Sequence, residues 1–223
     1  MEVLGECGYR AVPLSAVADW LEGGPRPPER SVVLTFDDGF ADFESEAVPI
    51  LLERGWTPTV FLPSGRIGAH EDWRGAHRDP ARRLLDWDQV RALAARGIEF
   101  GGHTVTHPDL TELPLDELAD EIRGARDRIE AELGVAPTSF APPYGHSNAR
   151  VIAEVRRWYR VSVGTRLDRV ARGDDPCDLP RIEMHYFRDL GRWRRHLEGR
   201  GEVYLRTRRA LRAVKARALS LRR

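Results

Sequence analysis

The sequence predicts an α/β fold built on a parallel sheet. Short apolar runs rich in β-branched residues alternate with helical patterns of roughly 10–15 residues, which is typical of βαβ units. The chain has 223 residues, a length that fits one domain, and no low-complexity linker divides it. We therefore expect an α/β domain at residues 1–190 and a basic helical tail at residues 191–223.

The individual elements follow from local apolar patterns and from end signals. Short apolar runs predict strands at residues 31–37, 57–62, 98–101, 159–164 and 179–185. Apolar residues with helical spacing predict helices at residues 47–54, 86–96, 115–133 and 149–158. Glycines that favour a helix end follow three of these helices, at Gly55, Gly97 and Gly134. The polar segment 68–83 predicts a surface loop that could border a cleft.

The composition argues against several classes of function. The 35 basic and 35 acidic residues balance, so no net field attracts nucleic acid. Lys215 is the one lysine and lies in the tail, which disfavours a Schiff-base or phosphate-loop lysine. Cys7 and Cys177 are too few for an all-thiolate zinc site; they suit a reducing compartment, with a single disulfide between them as the alternative. No apolar run reaches the ~20 residues of a membrane span, so we expect a cytoplasmic or membrane-peripheral chain.

Residues 203–223 are strongly basic, with seven Arg, one Lys and no acidic residue. Leu211, Val214, Ala218 and Leu221 predict one apolar stripe on a helix. Two interpretations stay open. Either the stripe packs on the body of the protein, or the helix contacts a membrane surface or a protein partner.

His103 and His107 are candidate metal ligands. The three residues between them are β-branched, a glycine pair precedes them and Pro108 follows, so a loop leaving a strand is favoured over a helix. Neutral imidazoles at this spacing suit a divalent cation of the zinc type. Two ordinary surface histidines are the alternative.

Asp37 and Asp38 end an otherwise apolar strand. Carboxylates at such a position are costly to desolvate unless they are functional or paired. Adjacent strand residues point to opposite faces, so the two acids are expected to do different jobs: one binds a metal and the other stays free as a base. An aspartate-rich turn that caps the next helix is the alternative, because Gly39 and Asp42 follow.

The segment Phe140-Ala-Pro-Pro-Tyr-Gly145 is a candidate oxyanion loop. Consecutive prolines stiffen a backbone, and a rigid loop can present a backbone N–H without reorganisation. A simple turn is the alternative.

Three segments together resemble the polysaccharide deacetylases. They are Thr35-Phe-Asp-Asp-Gly39, His103-Thr-Val-Thr-His107 and the loop of residues 140–145, in that order. The resemblance covers about residues 1–185. It implies a distorted (β/α) barrel, usually with seven parallel strands. It also implies a metal-dependent hydrolase that removes acetyl groups from an N-acetylated sugar, either a glycan or an amino-sugar metabolite.

The resemblance further implies roles for site residues. Asp38, His103 and His107 would hold one divalent cation, zinc, with cobalt or nickel as alternatives. Asp37 would be the base. The backbone N–H of Tyr144, in the loop stiffened by Pro143, would help to hold the oxyanion.

This chain departs from the family pattern in the third motif, in the later motifs, of which Ile182-Glu-Met-His185 is only a loose match, and at its start. Ala141 stands where many members have an arginine that orients the base. On the predicted strand 179–185, Arg181 and His185 would share one face with Glu183. We predict that Arg181 orients Asp37 and that His185 is the general acid; a surface ion-pair residue and a core histidine are the alternatives. The chain also begins inside the first helix of the family, so a missing leader with an anchor or export signal stays open.

The same residues argue against some other functions and leave two alternatives open. A glycosidase would leave both histidines without a role, and the chain has no G-x-S-x-G elbow for a serine hydrolase. A catalytically impaired sugar-binding protein is favoured only by Ala141. A hydrolase of small cyclic or linear amides with the same fold is the remaining alternative.

Overall fold

The computed structural model describes residues 1–73 and 81–220. Helices separate most of the eight strands in this part of the chain, but none lies between β2 and β3 or between β7 and β8. The strands are β1 (Arg10–Ala11), β2 (Ser31–Val32), β3 (Thr35–Phe36), β4 (Thr59–Leu62), β5 (Glu99–Gly102), β6 (Ser139–Phe140), β7 (Val161–Leu167) and β8 (Leu179–Arg181). The α-helices are α1 (Glu2–Glu6), α2 (Leu14–Leu21), α3 (Val48–Glu53), α4 (Trp87–Ala94), α5 (Leu115–Leu133), α6 (Ala149–Trp158), α7 (Leu190–Arg195) and α8 (Glu202–Ser220).

The main sheet is parallel and follows the chain order β3-β4-β5-β6-β7-β8. Together with the surrounding helices it forms the distorted (β/α) barrel that the sequence predicts. The described part of the chain supplies six strands to this sheet, whereas the family resemblance implies seven. β1 and β2 form a separate parallel pair.

The predicted strand at residues 31–37 is divided between the two sheets. Ser31 and Val32 pair with β1, whereas Thr35 and Phe36 pair with β4. The residues between them, Val33 and Leu34, pack against different apolar clusters. The chain therefore changes sheets just before the two aspartates.

The core lies on both faces of the main sheet. On one face, Phe61 of β4 and Val163 of β7 pack with Leu14 and Ala18 of α2. On the other face, Val60 and Leu62 of β4 share a cluster with Leu51 of α3, which precedes the strand, and Leu93 of α4, which follows it. This alternation is that of a parallel strand covered on both sides.

Two glycines let the strands approach closely beneath the site. A Cβ on Gly101 would lie 2.6 Å from the Phe61 ring, and one on Gly102 would lie 2.2 Å from the Tyr159 hydroxyl oxygen. That hydroxyl donates a hydrogen bond to the carbonyl of Ile122 on α5. The glycine pair thus sets the position at which β5 delivers His103.

The predicted helix of the tail is present as α8. One of the two interpretations is that its apolar stripe packs on the body of the protein, and the exposure of the stripe residues does not agree with it. Leu205 is fully buried, whereas Leu211 and Val214 are 54% and 66% exposed. Within the described residues, these two members of the predicted stripe do not pack on the body. Leu221 lies outside the described residues, as does the side chain of Ala218. Among the described helices, none is both long and apolar enough to cross a bilayer.

Candidate metal centre and active site

The carboxyl ends of β3 and β5 bring together Asp38, His103 and His107. The Nε2 atoms of His103 and His107 lie 3.3 and 3.2 Å from the same oxygen, Oδ1 of Asp38. One potential ligand atom from each residue lies within 4.8 Å of the others. Both imidazoles are buried, and the Asp38 side chain is 21% exposed. The three residues that the family resemblance assigns to a metal therefore form one cluster.

Hydrogen bonds orient the first imidazole. Nδ1 of His103 lies 2.6 Å from the backbone carbonyl oxygen of Ala141. Because a carbonyl only accepts, Nδ1 carries a proton, and Nε2 is the ring nitrogen that faces Asp38. The loop is held as well, since the backbone N–H of His107 donates to Oγ1 of Thr104 at 2.9 Å. A metal-binding histidine commonly has its second nitrogen fixed in this way.

The donor set fits a divalent cation. Two ligand atoms at the ~2.0–2.2 Å typical of zinc, in tetrahedral geometry, are separated by ~3.3–3.6 Å, close to the distances from Asp38 to both imidazoles. Burial opposes ionisation of Asp38, but hydrogen bonds with His103 and His107 outweigh it and hold the pKa of that carboxyl well below its usual range. Burial lowers the pKa of His107, which favours the neutral, metal-binding imidazole.

Backbone strain is concentrated around this cluster. Among the described residues, five non-glycine residues have positive φ, and four of them lie here: Asp38 (72°), Thr104 (70°), His107 (69°) and Tyr144 (60°). Each costs roughly 1–2 kcal/mol relative to ordinary backbone. Strain of this kind persists where the surrounding structure holds a functional geometry.

Asp37 forms a bidentate pair with Arg181 across the sheet edges. The two guanidinium nitrogens donate to Oδ1 and Oδ2 of Asp37 at 2.7 and 2.9 Å. Nε of Arg181 donates to the carbonyl of Gly164 on β7 at 2.8 Å, so the arginine spans from β7 to the residue after β3. Burial opposes ionisation of Asp37, but the charge and hydrogen bonds of Arg181 outweigh it and lower the pKa of that carboxyl.

The structure brings Arg181 to Asp37, as the sequence predicts. Ala141, the residue in place of the family's arginine, is fully buried, and its carbonyl contacts His103. Arg181 therefore reaches the carboxylate from another strand.

The strand carrying Arg181 is shorter than predicted. We expected residues 179–185 to be one strand, but β8 ends at Arg181, and Met184–Phe187 form a 3-10 helix. Arg181 pairs with Leu167, the last residue of β7, so the ladder has no partner beyond it. The shared face of Arg181 and His185 is thus wrong. His185 is exposed, its ring contacts Tyr186, and Glu183 pairs with Arg212.

The proline-rich loop lies against the metal cluster. Pro143–Gly145 form a short 3-10 turn, with Pro143 buried. The Tyr144 ring lies 4.9 Å from that of His107, and its hydroxyl donates to the His107 carbonyl at 3.4 Å. The loop assigned to the oxyanion is therefore next to the candidate ligands.

Two further groups beside the cluster were not singled out by the sequence. The Trp73 ring stacks on His107 at 4.3 Å, and it belongs to the segment predicted as a cleft-bordering loop. Nδ1 of His146 lies 2.6 Å from Oδ2 of Asp109. The Tyr144 ring contacts the rings of both His107 and His146 and so lies between them. Asp109 follows the histidine motif by two residues and His146 directly follows the loop of residues 140–145, which is the one signal that points to this pair.

A cavity of about 200 Å³ has Asp37 among its lining residues. Rings of Phe36, Phe40 and Phe43 contribute to its wall. Asp42 and Glu46 line it as well, so the cavity combines apolar rings with carboxylates.

Known proteins resemble this chain in sequence and fold. Residues 24–160 match the family model described as Polysaccharide deacetylase. The Poly-beta-1,6-N-acetyl-D-glucosamine N-deacetylase of Escherichia coli K12 is 29% identical over 193 residues, covering 69% of this chain and 28% of that protein. The chain spans less than two thirds of the length of the curated relatives it matches first.

Solved structures agree on the fold. The Streptococcus pyogenes deacetylase PplD in complex with acetate is 25% identical, with a TM-score of 0.71 over 81% of this chain and 76% of that one. IcaB from Ammonifex degensii is 22% identical, with a TM-score of 0.73 over 86% of this chain and 85% of that one. The latter likeness supports the barrel architecture alone.

Proposed function

Since the chain belongs to the polysaccharide deacetylase family, we propose that it is a metal-dependent hydrolase that removes the N-acetyl group from an N-acetylated sugar and releases acetate. The observation that carries the proposal is the convergence of Asp38, His103 and His107 beside a second carboxylate, Asp37, that a guanidinium holds ionised. A ligand set with an adjacent free base is the arrangement that metal-assisted hydrolysis needs.

The chain's residues divide the work as follows. A cation held by Asp38, His103 and His107 would supply Lewis-acid chemistry, lowering the pKa of a water and polarising the acetyl carbonyl. Zinc suits the two imidazoles and one carboxylate, with cobalt or nickel as alternatives. Asp37 accepts the proton of the attacking water while Arg181 keeps it oriented and ionised.

The remaining steps concern the oxyanion and the leaving group. The backbone N–H of Tyr144, in the loop stiffened by Pro143, donates to the oxyanion. Breaking the C–N bond requires a proton on the departing amine. The sequence assigns that proton to His185, which stays a prediction: near-wild-type kcat in His185→Ala would remove it from the mechanism. Acetate and a free amino sugar are the products.

The decisive experiment measures acetate release from N-acetylglucosamine oligomers by the zinc-loaded full chain. We expect release that a chelator abolishes and added zinc restores. Asp37→Asn is expected to keep zinc and saccharide binding but lose acetate release. Saccharide binding without acetate release in the wild type would instead favour the catalytically impaired sugar-binding protein.

A hydrolase of small amides is the second candidate, and a substrate panel separates it. Hydrolysis of cyclic or linear amides without release of acetate from N-acetylated sugars would replace the proposed substrate class. The Asp37–Arg181 pair would retain its role in either hydrolase, because both reactions require a base for water.

We propose that the tail contacts an anionic membrane surface, which would make the chain membrane-peripheral. Arg209 and Arg212 tie one face of α8 to Asp168 and Glu183, while Val203, Leu211 and Val214 are exposed on the helix. A basic helix with exposed apolar residues suits such a surface.

Sedimentation with vesicles containing phosphatidylglycerol tests this contact. We expect binding that high salt weakens and that Leu211→Ser reduces. The matched control is Leu115→Ser, which changes an equally exposed leucine on α5 (63% against 54% exposed). Equal binding by both variants, or no binding to anionic vesicles, would contradict the proposal.

A further inference from the structure

We propose that Asp109 and His146 form a saccharide contact beside the metal centre, and that this contact makes the site prefer oligosaccharides to shorter amino sugars. The inference rests on the proposed function and names the substrate class of the same site.

The pair is held in a fixed geometry. Nδ1 of His146 lies 2.6 Å from Oδ2 of Asp109. The other carboxylate oxygen of Asp109 accepts hydrogen bonds from the backbone N–H and the hydroxyl of Thr111, at 3.0 and 2.7 Å. A carboxylate with its oxygens engaged in this way has little freedom to turn, so it fixes the histidine ring that it contacts.

The same contact determines which ring nitrogen is available. An ionised carboxylate only accepts hydrogen bonds, so Nδ1 of His146 donates to Asp109. In the neutral imidazole, Nε2 is then a hydrogen-bond acceptor. The His146 side chain is 57% exposed, whereas that of Asp109 is 14% exposed. An oriented acceptor at the surface suits the hydroxyl groups of a sugar.

The position of the pair links it to the reacting centre. Asp109 follows the ligand His107 by two residues, and His146 follows Tyr144 by two residues. The Tyr144 ring lies 4.9 Å from His107 and 5.8 Å from His146, so it stands between the ligand and the pair. His146 is therefore displaced from the ligand cluster by an intervening ring. This places it where a neighbouring sugar unit, rather than the acetyl group, would lie.

Trp73 extends the same row of rings beyond His107. It stacks on that imidazole with a centroid distance of 4.3 Å and an interplanar angle of 27°. Aromatic rings offer apolar faces on which the C–H face of a pyranose packs, while fixed polar groups supply specificity. With ring contacts continuing from His107 to both Trp73 and His146, the site offers more contacts than one sugar unit uses.

A purely structural pair would give a different result from a substrate contact. If Asp109 and His146 only pinned the two loops together, their loss would affect all substrates alike. A contact with a neighbouring sugar instead affects long substrates and spares short ones. Chain-length dependence therefore separates the two roles.

The experiment compares the dimer and pentamer of N-acetylglucosamine with the zinc-loaded full chain. We expect His146→Ala to raise KM for the pentamer about tenfold, the value of one lost contact of ~1.4 kcal/mol, with KM for the dimer changed less than about twofold. His146→Gln is expected to recover part of the loss, because its amide can replace Nε2. Asp109→Asn is expected to resemble His146→Ala, whereas the control Glu112→Gln changes an exposed neighbouring carboxylate and is expected to match the wild type.

Binding of both oligomers to the Asp37→Asn variant, with and without His146→Ala, provides a readout independent of turnover. Pentamer affinity that depends on His146 supports the contact even if the wild type releases no acetate, in which case the proposed function alone fails. Equal losses for dimer and pentamer, or unchanged pentamer KM and affinity in folded His146→Ala and Asp109→Asn, overturn the inference.

Discussion

Replacing His103 with alanine is expected to remove bound zinc and to lower kcat/KM for acetate release by about 1000-fold or more. The imidazole is buried, its Nδ1 is committed to the Ala141 carbonyl, and its Nε2 faces Asp38 at 3.3 Å. Loss of the cation forfeits several kcal/mol of charge stabilisation in the transition state, and each ~1.4 kcal/mol is a factor of ten in rate.

Zinc content and acetate release should be measured on the same preparations. His70→Ala is the matched control, because it removes an exposed histidine from the loop that follows β4. We expect that variant to keep its zinc and its activity. Full zinc content in His103→Ala would show that the cation lies elsewhere, and full activity without zinc would contradict the metal-dependent mechanism.

The second large effect is expected at the carboxylate next to the ligands. Asp37→Asn is expected to lower kcat by about 10²–10⁴, the usual contribution of a positioned general base. Zinc binding is expected to persist, since Asp37 is not among the three clustered candidate ligands. Loss of zinc together with activity would instead make Asp37 part of the metal centre.

Arg181→Ala is expected to act through Asp37, and the pH profile reveals this. With Arg181 present, the pKa of Asp37 is lowered although burial opposes ionisation. Without the guanidinium, burial remains and the pKa of Asp37 rises, so more of the base is protonated at a given pH. We therefore expect the acidic limb of kcat/KM to move to higher pH.

Two comparisons sharpen the Arg181 experiment. Arg181→Lys keeps the positive charge but not the bidentate geometry. We therefore expect the acidic limb of kcat/KM to return close to its wild-type pH, while kcat stays below the wild-type value. Arg156→Ala is the control, because it removes a guanidinium that pairs with Asp175 at the surface. An unchanged acidic limb in Arg181→Ala would exclude the positioning role.

Much of the candidate site follows from short stretches of sequence. Asp37 and Asp38 are adjacent, and the two histidines are four residues apart. A short stretch of sequence is therefore enough to suggest a metal-binding or acid–base role for each pair. Both pairs follow predicted strands, and parallel strands bring their carboxyl ends to one edge of the sheet, so the two pairs are expected to lie close together. The family resemblance then identified Asp38, His103 and His107 as the candidate ligands.

The predicted strand at residues 179–185 is too long, and the physical cause lies outside that segment. Whether residues beyond Arg181 continue as a strand depends on backbone partners, and β7 ends at Leu167 opposite Arg181. The run of residues 179–185 contains no sign of that end. For α8 the limit is similar, since a helical pattern does not say which face docks, and Leu205 rather than Leu211 is buried.

The amino-acid sequence alone was sufficient for the α/β class, because alternating strand and helix patterns are local, and the family resemblance supplied the candidate ligands and the candidate base. The sequence predicted that Arg181 reaches Asp37, 144 residues away, but the stacking of Trp73 and the pairing of Asp109 with His146 required the folded chain. Such contacts depend on strand register, sheet edges and loop paths, which arise from interactions between distant segments.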